Sequence, residues 1–267
     1  MAIKTDALQQ NAAPKGADTL LMADSAGGTA QLSLDRLAEF LTGQDNAVRT
    51  ALSNKAALSA QQTVEKTGVT SRTVEVAASE LGGYILALPR LLTENLSIRS
   101  SGTTGNLDIE RFYGPGSLSV SPKTGETLTI GSVYASGNSA PVSFSGVQFQ
   151  GAAPFASTYL TVKRCRSFTL ESCGVTGSGK QFDGLNVSDA STFSARQCSF
   201  TGLNRVVTPS GSSVVAFADC EGSGNSSGVF GAGGVVLLIG TTPPLLGGAA
   251  NGRYSGGLIV KADGTLI

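Results

Sequence analysis

Through most of the chain, apolar residues alternate with small polar ones over short stretches, and helical periodicity is confined to the first third. From Leu96 an apolar–polar–apolar triplet recurs as Leu96-Ser97-Ile98, Leu107-Asp108-Ile109, Leu118-Ser119-Val120 and Leu128-Thr129-Ile130, with starts 11, 11 and 10 residues apart. Each triplet sends two side chains one way and one the other, as a short strand does. Ser101-Gly102, Gly114-Pro115-Gly116 and Pro122 with Gly125 separate the triplets as turns.

A longer period follows. Phe144 precedes Phe149 by five residues, and the same offset joins Phe168 to Cys173, Phe193 to Cys198 and Val215 to Cys220. The first members are 24, 25 and 22 residues apart. Leu160-Thr161-Val162 and Leu185-Asn186-Val187 precede two of these pairs as a third strand, with the next equivalent at Val206-Val207. Gly151, Gly177, Gly202 and Gly222 close the repeats. Three short strands in a repeat of this length predict a mainly β fold, a right-handed parallel β-helix of five or six coils. One coil cannot bury its apolar side chains alone, but stacked coils enclose a continuous interior column. On this reading Cys173, Cys198 and Cys220 form an inward ladder beneath Phe149 and act as small hydrophobes, since stacked thiols rarely meet disulfide geometry.

The N-terminal third reads differently. Residues 1–16 are polar and aperiodic, as in an extended arm. Residues 18–24 form a short strand, Ser25 to Gly28 a turn and Thr29 to Ser33 a returning strand. Ser33 then caps a helix from Leu34 to Thr42, with Leu34, Leu37, Phe40 and Leu41 on one face and Gly43 ending it. A second helix, roughly residues 45–66, carries only a sparse stripe of Val48, Ala51, Leu52 and Ala56. Either a solvated linker or a helix packed on copies of itself fits that stripe. Thr73 to Val76 is a strand, and Ala77 to Leu92 a helix interrupted by Pro89. The expected organisation is an arm and attachment module over 1–43, a helical neck over 44–72, the β-helix with its leading helix over 73–240, and a cap over 241–267. That cap closes in a hairpin whose turn is Asp263-Gly264.

Composition narrows the chemistry. Charged residues make up 14% of the 267 residues and formal net charge is zero, so no basic face for nucleic acid is expected. Histidine is absent, which removes imidazole as metal ligand and as general acid or base. None of the four cysteines lies in a CxxC pair, so neither zinc nor another cofactor is expected. The longest apolar run, Val235 to Ile239, is too short to span a bilayer, and the N-terminus has no signal pattern. The expected compartment of synthesis is a reducing cytoplasm, with free thiols.

Two stretches resemble known proteins. Asp18-Thr-Leu-Leu-Met-Ala-Asp24, with Thr29-Ala-Gln-Leu-Ser-Leu-Asp-Arg-Leu-Ala-Glu-Phe-Leu41, resembles the N-terminal module of phage tail fibre and tailspike proteins. Leu88-Pro-Arg-Leu-Leu-Thr-Glu-Asn-Leu-Ser-Ile98, followed by Phe112-Tyr-Gly-Pro-Gly-Ser-Leu-Ser-Val120, resembles the leading segment of pectate-lyase-like β-helices in phage structural proteins. The resemblance implies a homotrimer attached to the virion by its N-terminus, made in the host cytoplasm. Its partners would be other tail or baseplate proteins and a host surface glycan.

Spike β-helices of this kind often cleave polysaccharide, so the alternative is a depolymerase, either hydrolase or lyase. Hydrolysis needs two carboxyl groups across a glycosidic bond. The candidates are Asp219 and Glu221, which flank inward Cys220 and should share one outer surface, together with Glu171, Asp183 and Asp189. A lyase would want cations beside acids, and Lys163, Arg164 and Arg166 lie near Glu171. Carbohydrate-stacking candidates are Tyr113, Tyr134, Phe155, Tyr159 and Phe182, with the loops 135–141 and 151–158 as a recognition surface. A surface adhesin is disfavoured by the missing signal pattern.

Overall fold

The computed structural model describes residues 19–23, 29–33, 69–151, 157–243, 246–254 and 257–266. The chain divides into two compact units, Met1–Ser59 and Ala60–Ile267. In the first, β1 (Thr19–Ala23) pairs antiparallel with β2 (Thr29–Ser33), Leu21 facing Gln31, which is the expected hairpin. The two predicted N-terminal helices and the arm lie outside the described residues.

The second unit is a parallel β-solenoid of about 7 turns, more than the five or six coils expected. It opens with β3 (Thr70–Glu75) and a helix, α1 (Ala78–Ala87). Leu81 and Ile85 are fully buried on the inner side of α1, which packs on the first coil, while Leu86 stays exposed. The helix stops earlier than expected, because Leu88 precedes Pro89 and must be extended (φ −64, ψ 144).

The first two coils have two long strands each: β4 (Glu94–Ser100) and β5 (Gly102–Glu110), then β6 (Ser117–Pro122) and β7 (Leu128–Ser136). The next coil splits the second strand in two: β8 (Val142–Ser145), β9 (Gln148–Gln150) and β10 (Thr158–Lys163). The same three-strand plan gives β11 (Phe168–Glu171), β12 (Gly174–Thr176) and β13 (Asp183–Ser188), then β14 (Thr192–Arg196), β15 (Ser199–Thr201) and β16 (Arg205–Pro209). After β17 (Val214–Ala218), β18 (Glu221–Ser223) and β19 (Asn225–Ala232), the chain ends with β20 (Val235–Ile239), β21 (Gly248–Tyr254) and β22 (Leu258–Val260). Gly264 N–H donates to Lys261, Lys261 N–H donates to Thr265, and Val260 bridges Leu266 antiparallel, so the Asp263-Gly264 turn forms as expected.

One face of the solenoid is a nine-stranded parallel sheet from β3 to β22. An eleven-stranded sheet supplies the other two faces, because β7 pairs with β9 through Ile130↔Phe149 and with β10 through Val133↔Leu160. The 11-residue triplet spacing is therefore a half-coil. Leu96 pairs with Leu118 in the nine-stranded sheet, while Leu107 pairs with Val133 in the other. The longer period needs a correction of two residues. Phe168 is in register with Val142, not Phe144, so the five-residue offset runs from Val142 to Val147. Val147 precedes Gln148 as Cys173, Cys198 and Cys220 precede its ladder partners Gly174, Ser199 and Glu221. Val147 thus heads the cysteine ladder, and Phe149 belongs to the neighbouring column with Val175 and Phe200.

Inside, Phe168 stacks on Phe193 at 5.9 Å between ring centroids, and Phe193 continues to Phe217 at 6.4 Å. Phe149 and Phe200 meet this column edge-on from the second face, at 5.5 Å from Phe144 and Phe217. All these rings are 1% exposed or less, so the apolar interior runs unbroken from coil to coil.

Candidate functional site

Two corners of the solenoid use one device. At the end of the nine-stranded face, Gly146, Ser172, Gln197, Asp219 and Gly240 take a left-handed backbone, with φ between 51 and 68. The residue after each of the middle three is an inward cysteine. At the end of the third face, Arg111, Gly137, Arg164 and Asp189 do the same, with φ between 50 and 68. The residues that follow this second corner include Phe112, Asn138 and Cys165. Non-glycine residues hold this conformation because coil-to-coil hydrogen bonds over-determine it, such as Ser172 N–H to Arg196 O and Gln197 N–H to Ala218 O, both 2.9 Å.

The acidic candidates fall on this scaffold as follows. Asp219 occupies the first corner, exposed. Its carboxylate accepts from Thr241 N–H at 3.0 Å and from Thr241 Oγ at 3.2 Å, in the next coil. The backbone and hydroxyl donors of Thr241, with a smaller contribution from Arg196, hold it below the usual carboxylate range. Glu221 is exposed at the start of β18, on the following face. The alternation that put Asp219 and Glu221 on one surface fails, because the chain turns a corner between them. Glu171 is exposed at the end of β11 and pairs in register with Arg196. Asp189 sits in the second corner. Asp183 is engaged: Arg205 reaches it with two nitrogens at 2.6 and 3.1 Å, and Asn204 donates a third hydrogen bond at 2.9 Å. The Arg205 guanidinium also lies over the Phe230 ring, 5.4 Å from its centroid. Arg205, Asn204 and Phe230 were not among the sequence candidates. Their signal is one coil length, since Asp183 and Arg205 are 22 residues apart.

Among the described residues, the ion pairs are Arg72–Glu94, Lys123–Glu75 and Arg205–Asp183. None joins Glu171 to Lys163, Arg164 or Arg166. No group of three or more metal-ligating side chains forms among the described residues.

The aromatic candidates divide. Tyr159 is fully buried, donates from its hydroxyl to Gly151 O at 2.9 Å and meets Phe182 edge-on at 6.2 Å, so its ring is packing and offers no face to a sugar. Phe182 is half-buried against it. Tyr134 is half-buried on β7, not in a loop, between Asp108 and Thr161 of the adjoining strands. Tyr113 is half-buried and bridges Leu91. Phe155 lies outside the described residues. The loop 135–141 begins inside β7, and its Asn138 points inward.

All four thiols are free and buried. The hydrogen bond with Cys173, and burial, hold the Cys198 thiol up at about 12. The hydrogen bond with Cys198, and burial, push Cys220 higher still. Cys198 and Cys220 stay protonated and poorly nucleophilic, whereas the hydrogen bond with Cys198 lowers the Cys173 thiol, which is protected by its burial. At pH 8 the native protein should leave an aromatic disulfide reagent unconsumed over minutes. In denaturant, four equivalents should react. Rapid reaction of the native chain would contradict the inward ladder.

No family model matches the chain, no curated protein matches it, and no solved structure matches it. Among the described residues, no helix is long and apolar enough to cross a membrane.

Proposed function

We propose that this chain is a structural component of a phage tail, a fibre, spike or adaptor, mounted through roughly residues 1–70 and assembled as a homotrimer. The observation that carries this reading is the pairing of a fibre-like N-terminal hairpin, β1–β2, with a solenoid of about 7 turns. A solenoid presents long ladders of identical groups at fixed spacing, which suits a rigid surface that docks a receptor glycan or another tail protein. The acidic side chains support a non-enzymatic role. Among the described acidic candidates, Asp219 holds a turn, Asp183 is ion-paired with Arg205, and Glu171 lies in register with Arg196.

The test is the mass of the purified full chain by light scattering, followed by incubation of the same sample with a panel of capsular and lipopolysaccharide glycans. The expected result is a trimer that leaves the glycans at full length. Shortened glycans would transfer the reading to a depolymerase. A stable monomer would overturn the tail-fibre assignment.

A further inference from the structure

The nine-stranded face changes character along its length. Its central outward column reads Ser97, Ser119, Ser143, Thr169 and Ser194 over five successive strands, all in parallel register. Neighbouring hydroxyls in this column bond to each other, Ser97 to Ser119 at 2.9 Å and Thr169 to Ser194 at 3.2 Å. The column then continues as Ala216, Leu237 and Val260. The column on one side ends in Val214, Val235 and Leu258. The column on the other ends in Ala218 and Ile239.

Every outward position of the last three strands is therefore apolar. Val214, Ile239 and Leu258 are 38%, 46% and 40% exposed, and they are three of the large hydrophobic side chains that the solenoid leaves open to solvent. Burial inside the coil does not require this. The inward partners, Val215, Phe217, Val236, Leu238 and Ile259, already fill the interior. A strand that needs one buried face alternates apolar and polar residues, as β11 and β14 do, whereas β20 reads Val-Val-Leu-Leu-Ile without a break.

We infer that this outer face of β17, β20 and β22 is where copies of the chain pack against one another. Two observations favour a second copy over a different partner. First, the patch carries no charge, so three copies can turn it toward a common threefold axis, where equivalent residues meet, without burying like charges together. The earlier strands of the same sheet carry Glu75, Arg99, Glu171 and Arg196 in their flanking column, which a self-contact would oppose to themselves. That column becomes Ala218 and Ile239 where the apolar patch begins. Second, the extent is right for the centre of such a contact. Three strands spaced ~4.8 Å apart, with outward residues ~6.7 Å apart along each, make a patch of roughly 300 Å² with its side-chain margins. A stable interface needs about 800 Å² per partner with an apolar centre and a polar rim. The Ser and Thr columns of β11 and β14 border the patch and supply that rim.

The inference deepens the homotrimer reading by naming its contact, and the test separates the two. Light scattering is run on the full chain, on Leu237→Glu with Ile239→Glu, and on Ser97→Glu as a control at the far end of the hydroxyl column of the same sheet. The wild type and Ser97→Glu should be oligomers of equal mass. The double variant should dissociate with association weakened at least about tenfold. Because outward glutamates could disturb β20 itself, Ile239→Cys is treated in parallel with a short bis-maleimide. It should link chain to chain, since the native thiols are buried, and Ser97→Cys should not. An oligomer that survives the double glutamate and gives no Ile239→Cys cross-link would overturn this face and leave the trimer standing on another contact. A wild-type monomer would overturn both.

Discussion

Phe193→Ala should lower the stability of the solenoid by about 3–5 kcal/mol, the usual range for deleting a buried phenylalanine. Urea unfolding followed by β-sheet circular dichroism measures it. Phe193 is 1% exposed and is gripped from both sides, by Phe168 stacked at 5.9 Å and by Phe217 at 6.4 Å. Its removal therefore weakens two coil-to-coil contacts at once. In a solenoid each coil is held mainly by its neighbours, so a gap at the middle should also loosen cooperativity, with the coils after β14 melting at lower urea than those before it. Ser194→Ala, one residue along and facing outward, should stay within about 0.5 kcal/mol. A Phe193→Ala loss below about 1 kcal/mol would mean that the ring is not in the interior column.

The period of two was enough to read the class of fold, because each strand with one buried face writes its own alternation. It was not enough to set the register. Leu96, Leu107, Leu118 and Leu128 look equivalent, yet successive members belong to different sheets, since a half-coil and a full coil repeat the same apolar triplet. Phe144 drew the longer period two residues out of step, because both Val142 and Phe144 point inward and the larger side chain looked like the match to Phe168. The corners carry glycine only at Gly137, Gly146 and Gly240. Ser172, Gln197, Asp219, Arg164 and Asp189 are in a conformation for which glycine is the usual marker, and only the stacked hydrogen bonds of neighbouring coils explain them.

The candidate site suffered from the same limit. Alternation placed Asp219 and Glu221 together, but it holds only along a straight strand. Tyr159 looked like a loop residue because the chain leaves the regular repeat at Gly151, and the ring instead packs on Phe182. The apolar run from Val235 to Ile239 was visible from the start. Measured against a bilayer it meant nothing. Measured against its neighbours in the sheet, it marks the point where the outer face loses its hydroxyls.

Asn225→Leu should cost about 3 kcal/mol or more, on the same scale as the loss of a core ring, although leucine suits an interior better than asparagine does. Asn225 is 3% exposed and bridges three coils: its carbonyl accepts from Leu203 N–H at 2.9 Å, and its amide donates to Phe200 O at 2.9 Å and Leu246 O at 2.7 Å. Leucine would remove all three hydrogen bonds, taking the acceptor from Leu203 N–H and a donor from each of the two carbonyls, and a buried polar group that loses its partner costs about 1–3 kcal/mol. Asn138 does the same work at the second corner, with Phe112 N–H and Ile109 O, and Asn138→Leu should behave alike. Asn225→Asp separates this account from simple loss of volume. The aspartate keeps the acceptor, loses both amide donors and places a carboxyl where burial and the facing carbonyls raise its pKa. A raised acid binds its proton more readily folded than unfolded, so the stability of Asn225→Asp should climb as pH falls from 7 toward about 4. The wild type should move the other way at low pH. Its Asp219 and Asp263 carboxylates are held below the usual range, so their contribution is full above about pH 4 and is lost as pH falls through the folded values. Between pH 7 and about 4 the urea midpoint of Asn225→Asp should rise as pH falls while that of the wild type stays level, and below about 4 the Asp219 and Asp263 contributions should be lost in both; parallel profiles between 7 and 4 would take Asn225 out of the interior.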